Sequence, residues 1–238
     1  MLKRNPWAGV LRFLQDNDIS SVGLDAPLAR LKRASPVAFF DVQGTARSFV
    51  DLLDAIAEMK SASTWIEKTP RHLHYLGLIE AVAGVGTDAA VVHVLRDGRE
   101  VVASLLTASA KWGRGYGLAE CVRRWNRDLA LTSSRLGHAG HAVLCYEDLC
   151  TDADGTLRSL LGSLGLNYDE REPWLHADLM RRIIKPGETW KQGTGRPIAM
   201  SRTFDTALTS RQRQYVEKHL DLDIYQQVRK RLRGGWHV

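Results

Sequence analysis

The chain has 238 residues, 44% of them hydrophobic, enough for one sizeable α/β domain with its own core or for two small ones. Its 33 basic and 27 acidic residues leave a net charge of +6, a mild excess that suits an anionic ligand; with no nucleic-acid-binding motif, a nucleic-acid partner is not expected. Cys121, Cys145 and Cys150 are odd in number and lack CxxC spacing, which argues for reduced thiols in a cytoplasmic protein, and no long apolar run at the N-terminus suggests a signal peptide or membrane span.

Asn5 ahead of Pro6 opens a predicted helix to about Asp16, with Trp7, Val10, Leu11 and Leu14 on one face. Leu24–Arg33 and Thr45–Met59 follow as helices, the second carrying Phe49, Leu52, Leu53 and Ile56 at helical spacing. The run Val37–Phe40 is a short strand candidate. Thr64–Lys68 reads as a strand ended by Thr69-Pro70, Arg71–Val82 as a helix and Gly84–Thr87 as a turn. Ala89–Leu95 is a β-branched apolar run, the pattern of a strand buried on both faces. Asp97-Gly98 signals a turn, and from Glu100 to about Ala110 the period is helical. A loop with Gly113, Gly115 and Gly117 leads to the long helix Leu118–Leu136, carrying Val122, Trp125 and Leu129. His141–Tyr146 is a further apolar strand, and Glu147 and Asp148 are expected to cap the turn after it. Leu157–Leu164 is a helix closed by Gly165, and residues 185–203 form a long polar loop. Thr209 caps a final helix with Gln212 as capping-box partner, and the basic end Arg229–Arg233 reads as a solvated helix face.

The alternation of strand and helix predicts one α/β domain over residues 1–238, a parallel sheet flanked by helices. Right-handed crossovers would align Lys68, Arg96 and Tyr146 along the carboxyl edge, where such sheets bind ligands. Arg96 offers a bidentate fork for a phosphate, and Ser104, about two turns into the next helix, a hydroxyl for the same anion. Asp97 reads as a turn or capping carboxylate and Arg99 as a surface charge.

Leu95-Arg96-Asp97-Gly98-Arg99-Glu100-Val101-Val102-Ala103-Ser104 resembles the 3′-phosphate-binding segment of the sulfotransferase family, whose donor is 3′-phosphoadenosine 5′-phosphosulfate (PAPS). Trp65-Ile66-Glu67-Lys68-Thr69-Pro70-Arg71-His72 resembles the Glu-Lys-Thr-Pro segment of bacterial and tyrosyl-protein-type members. Leu144-Cys145-Tyr146-Glu147-Asp148-Leu149 resembles the family's Tyr-Glu-Asp-Leu segment. The resemblance implies a P-loop-NTPase-like sheet, Arg96 and Ser104 on the 3′-phosphate, Tyr146 beside the adenine and Lys68 as the catalytic cation on the transferred sulfuryl group. A fixed cation there stabilises the charge that builds on the leaving phosphate oxygen, more in the transition state than in the ground state. Ser201-Arg202, ahead of Phe204 and Leu208, resembles the late basic loop over the 3′-phosphate but lacks its glycine and tryptophan; it implies Arg202 as another phosphate ligand. No metal is implied, because lysine and arginine supply the charge. Glu67 and His72 are weaker candidates for a base.

The family's opening strand and its glycine-rich 5′-phosphosulfate loop, of the Gly-x-Arg-Ser-Gly-Thr-Ser kind, are not found in the sequence. Val42-Gln43-Gly44-Thr45-Ala46-Arg47-Ser48 and Gly193-Thr194-Gly195-Arg196 imitate that loop, and both read as coincidence. The expected sheet therefore lacks its first strand and phosphate loop. A fragment, a relative without activity and a different layout of the 5′ site are the open explanations. The expected activity is sulfuryl transfer from PAPS to a hydroxyl of a sugar, a natural product or a peptide. The alternatives are a non-catalytic nucleotide-binding protein on the same scaffold and a P-loop kinase relative, which would need a Gly-Lys-Ser/Thr loop. Trp112 and Tyr116 either line the acceptor pocket or belong to a plain connector.

Overall fold

The fold is described from a computed structural model, over residues 14–15, 19–34, 41–111, 113, 115–168, 199–200 and 202–232. They belong to two compact units, residues 1–89 and 90–238. Several expectations fall outside the described residues: most of the first helix, the run Val37–Phe40, Trp112, the imitation loop at 193–196 and Arg233.

The described part of the first unit is helical. It contains α1 (Asp25–Ala34), α2 (Val42–Met59), a 3-10 turn (Pro70–Tyr75) and α3 (Leu76–Val82). Leu14, Leu24, Leu28, Leu31 and Leu52 make its core, with Ile19, Phe49 and Ile56 packed against them. α2 starts where the Asp41 carboxylate accepts the Gly44 N–H at 2.7 Å. The loop-like letters of residues 42–48 are therefore the first turns of a capped helix and not a phosphate loop. The expected strand Thr64–Lys68 is not one: the segment is unpaired, and Ile66 is 93% exposed. A strand needs a ladder and a buried face, and this segment has neither among the described residues. Trp65 instead fastens it to α2 by donating its indole N–H to Asp54 at 2.7 Å. The helix expected over Arg71–Val82 begins as the tighter 3-10 turn behind Pro70.

In the second unit, β1 (Val91–Leu95) and β2 (His141–Cys145) pair in parallel, with Val91 opposite His141 and Leu95 opposite Cys145. Between them the chain runs through α4 (Gly98–Lys111) and α5 (Leu118–Ser133). After β2 come α6 (Tyr146–Thr151), α7 (Ala153–Ser163), α8 (Phe204–Ala207), α9 (Ser210–His219) and α10 (Leu222–Leu232). The architecture is thus mixed, a parallel pair of strands flanked by helices, and two strands are all the sheet holds among the described residues. β2 is buried along its whole length. β1 is not buried on both faces as its composition predicts: His93 and Leu95 are buried, while Val94 is 64% exposed. The buried polar groups of the pair satisfy one another, His93 bonding Thr132 at 3.3 Å and His141 at 3.1 Å.

Leu95, Val102, Trp125, Val143, Phe204, Val216 and Tyr225 belong to one core that joins both strands to α4, α5 and α8–α10. Gly98 is needed there for room. It opens α4, and a Cβ at this position would stand 2.6 Å from the Trp125 ring. The Asp97-Gly98 pair is therefore a strand-to-helix junction pressed against an indole, where the sequence suggests a turn glycine. The capping box of Thr209 and Gln212 is present, and Gly165 follows α7 in the left-handed region at φ 70°. Among the described residues no helix is long and apolar enough to cross a membrane, and no three His, Cys, Asp or Glu side chains cluster to hold a metal.

Candidate functional site

Because Leu95 and Cys145 are register partners, the next residues, Arg96 and Tyr146, leave the sheet side by side at its carboxyl edge. The Arg96 guanidinium lies over the Tyr146 ring, 4.7 Å from its centroid. The peptide that carries Arg96 into Asp97 is held at both polar ends. Its carbonyl accepts the Trp125 indole N–H at 3.1 Å, and its N–H is donated to Glu147 at 2.9 Å. The other Glu147 oxygen accepts the Tyr225 hydroxyl at 3.1 Å. Burial, followed by the Glu147 charge, raises the Tyr225 pKa, so the phenol stays protonated and donates.

Glu147 and Asp148 do not cap the turn behind β2. Glu147 reaches to the end of β1, and Asp148 pairs with Arg229 of α10 at 2.7 Å. Their acidity serves two neighbouring elements in place of the local backbone. Arg229 in turn is not on a solvated face, since its side chain is only 22% exposed. Asp97 does act locally, as expected. It accepts the Arg99 N–H at 2.9 Å and pairs with the Arg99 guanidinium at 2.6 Å, so Arg99 is more than a surface charge. Burial pushes the Cys145 thiol up to about 12, which keeps it neutral and unsuited to nucleophilic chemistry.

In the first turn of α4, Glu100 links the strand end to a late segment. It accepts the Thr203 N–H at 2.6 Å, the Thr203 hydroxyl at 3.1 Å and the Phe204 N–H at 3.4 Å. Its carboxylate stands 3.9 Å from the Arg96 guanidinium. A second tie comes from Tyr146, whose hydroxyl donates to the Ala199 carbonyl at 3.1 Å. Arg202, exposed, lies between these two tied points in the chain. Ser104 is exposed one helical turn beyond Glu100, on the same stripe of α4.

A sulfotransferase-family sequence profile matches residues 16–170, well over half of the chain. The chain belongs to the sulfotransferase family. Neither a curated protein nor a solved structure matches it. The matched stretch contains Lys68, Arg96, Ser104 and Tyr146, while Arg202 lies beyond it.

The structure of this family member brings Arg96 and Tyr146 into contact and ties the neighbours of Arg202 to the same place. Lys68 lies in the other unit and follows no strand, so the expected row of three strand ends reduces to two. Lys68 is exposed and joined to no other described residue by an ion pair or hydrogen bond. Glu67 turns instead to Thr69, accepting its hydroxyl at 2.6 Å, and to His72 at 2.7 Å. Tyr116 lies under the Arg124 guanidinium at 4.2 Å and donates its backbone N–H to Ser109 at 2.9 Å, contacts that suit a packed connector. Sequence reasoning assigned no site role to Glu100, Trp125 or Glu147. The four-residue spacing of Arg96 and Glu100 is the one local signal that could have marked a pair.

Proposed function

We propose that this protein binds the adenosine 3′,5′-bisphosphate part of PAPS at the Arg96–Tyr146 end of the sheet and transfers the sulfuryl group to a hydroxyl of a sugar, a natural product or a peptide. The observation that carries this reading is the stacked Arg96–Tyr146 pair at the ends of adjacent parallel strands, on a peptide held by Trp125 and Glu147. The donor set fits such a ligand. Arg96 and Arg202 offer guanidinium forks, Ser104 a hydroxyl and Tyr146 an aromatic face, all groups that suit a phosphate next to a base. The Arg96 side chain keeps 23% of its surface exposed, at the carboxyl edge of the sheet.

In the proposed reaction the acceptor hydroxyl oxygen forms a bond to sulfur and releases its proton to water, as the bond from sulfur to the donor's phosphate oxygen breaks and adenosine 3′,5′-bisphosphate leaves. Negative charge grows on that leaving oxygen. Lys68 is the residue proposed to meet it, on the strength of the Glu-Lys-Thr-Pro segment and its unpaired ammonium. A family profile that runs from residue 16 to 170, and so through parts of both units, favours one functional domain, which we take as residues 1–238. The free cysteines support a cytoplasmic setting.

Calorimetry with adenosine 3′,5′-bisphosphate tests the donor site. Binding is expected, and Arg96→Ala should weaken it at least about tenfold by removing a charge-assisted fork. Equal binding by Arg96→Ala would overturn the assignment. One observation favours a second reading, a binding protein without turnover: residues 42–48 form a helix, so that stretch supplies no 5′-phosphosulfate loop. Nucleotide binding without sulfation of any acceptor class would select it.

A further inference from the structure

We propose that Glu100 is a positioning residue for Arg202, and that it works by the reach of its hydrogen bonds and not by its charge. This inference rests on the 3′-phosphate reading of the Arg96 site. Charge alone gives Glu100 no reason to be there. A carboxylate 3.9 Å from Arg96 neutralises part of the positive field that an incoming phosphate would meet. At 3.9 Å it also makes no hydrogen bond to the guanidinium. What Glu100 does make is a set of three acceptor contacts, to the N–H and hydroxyl of Thr203 and to the N–H of Phe204.

Phe204 is 6% exposed and belongs to the core, so the chain beyond Arg202 is held from inside by the ring and from outside by Glu100. On the other side of Arg202, Ala199 is tied to the Tyr146 hydroxyl. The same two residues, Glu100 and Tyr146, flank Arg96. An exposed arginine is thus tethered on both sides to the immediate neighbours of the strand-end arginine. Ordering such a segment before the ligand arrives removes that entropy cost from binding.

The test uses the full chain with adenosine 3′,5′-bisphosphate, four single variants and one double variant. Glu100→Gln keeps the length and one acceptor oxygen, and should bind within about threefold of the wild type. Glu100→Asp keeps the charge but withdraws the oxygens by one methylene. It should bind at least about fivefold more weakly, close to Glu100→Ala. In an Arg202→Ala background the Glu100→Ala loss should vanish, because the two act through one segment. A second measurement needs no nucleotide: trypsin should cut at Arg202–Thr203 faster in Glu100→Asp and Glu100→Ala than in the wild type or Glu100→Gln. Asp matching the wild type while Gln fails, additive losses with Arg202→Ala, or equal cutting in the wild type and all three Glu100 variants would overturn the proposal. Failure of the wild type to bind, with the cutting pattern as expected, would overturn the 3′-phosphate reading and with it the purpose of the clasp, while leaving the clasp itself standing.

Discussion

Glu147, one residue past the start of α6, accepts the backbone N–H of Asp97 at 2.9 Å and so joins the ends of the two parallel strands by a side chain. The bond sets the plane of the peptide from which Arg96 projects. The Tyr225 hydroxyl holds the same carboxylate from α10.

Glu147→Ala therefore leaves two donors without an acceptor. At about 1–3 kcal/mol for each unsatisfied group, and in the lower part of that range because both bonds are only part-buried, a loss of roughly 2–4 kcal/mol in unfolding free energy is expected. Thermal denaturation should show a midpoint lower by about 5–15 °C. Binding of adenosine 3′,5′-bisphosphate should weaken as well, since Arg96 loses its fixed base. An unchanged midpoint would show that the bond contributes nothing to the strand ends.

Gly98 and Trp125 make a second, independent test of the same peptide. Gly98→Ala would ordinarily stabilise a helix by about 1 kcal/mol through propensity. Here the new methyl would enter the indole at 2.6 Å, and overpacking of that kind costs about 1–3 kcal/mol. Net destabilisation in urea is expected. Trp125→Phe keeps most of the packing but deletes the N–H donated to the Arg96 carbonyl. It should therefore reduce nucleotide affinity more than its modest stability loss would suggest. A Gly98→Ala protein more stable than the wild type would contradict the packing described.

Much of this site was legible in the sequence, for physical reasons that differ by residue. Arg96 and Tyr146 could be placed together because apolar runs ahead of both mark strands, and parallel strands present their carboxyl ends on one edge. The cap at Thr209 was legible because a capping box is a purely local pattern. Thr64–Lys68 was misread because a short run of strand-favouring residues ended by Thr69-Pro70 cannot say whether a partner strand exists. Glu147, Asp148 and Arg229 were misread because acidic residues behind a strand look like caps, and their real partners lie some 50 to 81 positions away in the sequence. Gly98 carried a turn signal, and only the fold reveals the indole that demands it.

The Asp97–Arg99 pair predicts a pH dependence. Burial by itself would raise the Asp97 pKa, but the side-chain and backbone hydrogen bonds from Arg99, with the Arg99 and Arg229 charges, outweigh it and hold the carboxyl below its ordinary 3.8. A carboxyl depressed in the folded state binds its proton more weakly there than in the unfolded chain. Its stabilisation is thus complete above the ordinary carboxylate range and is lost as pH falls through the folded value. Asp97→Asn should lower stability at neutral pH and flatten the decline below about pH 5. Urea midpoints measured from pH 7 to pH 3 would check this, and parallel curves for the two proteins would refute it.

Lys68 offers the sharpest separation of chemistry from structure. It is exposed and joined to no other described residue, so Lys68→Ala should change stability by less than about 0.5 kcal/mol. Affinity for adenosine 3′,5′-bisphosphate, which lacks the sulfuryl group, should also stay near the wild-type value. Turnover with PAPS and an accepted hydroxyl substrate should fall by about 10²- to 10³-fold, the usual loss when one group that stabilises developing charge is removed. Lys68→Arg should recover part of it, since the charge returns in a different shape. Turnover by Lys68→Ala at the wild-type rate would remove Lys68 from the reaction, whereas a fall in stability equal to the fall in rate would assign it a structural role instead.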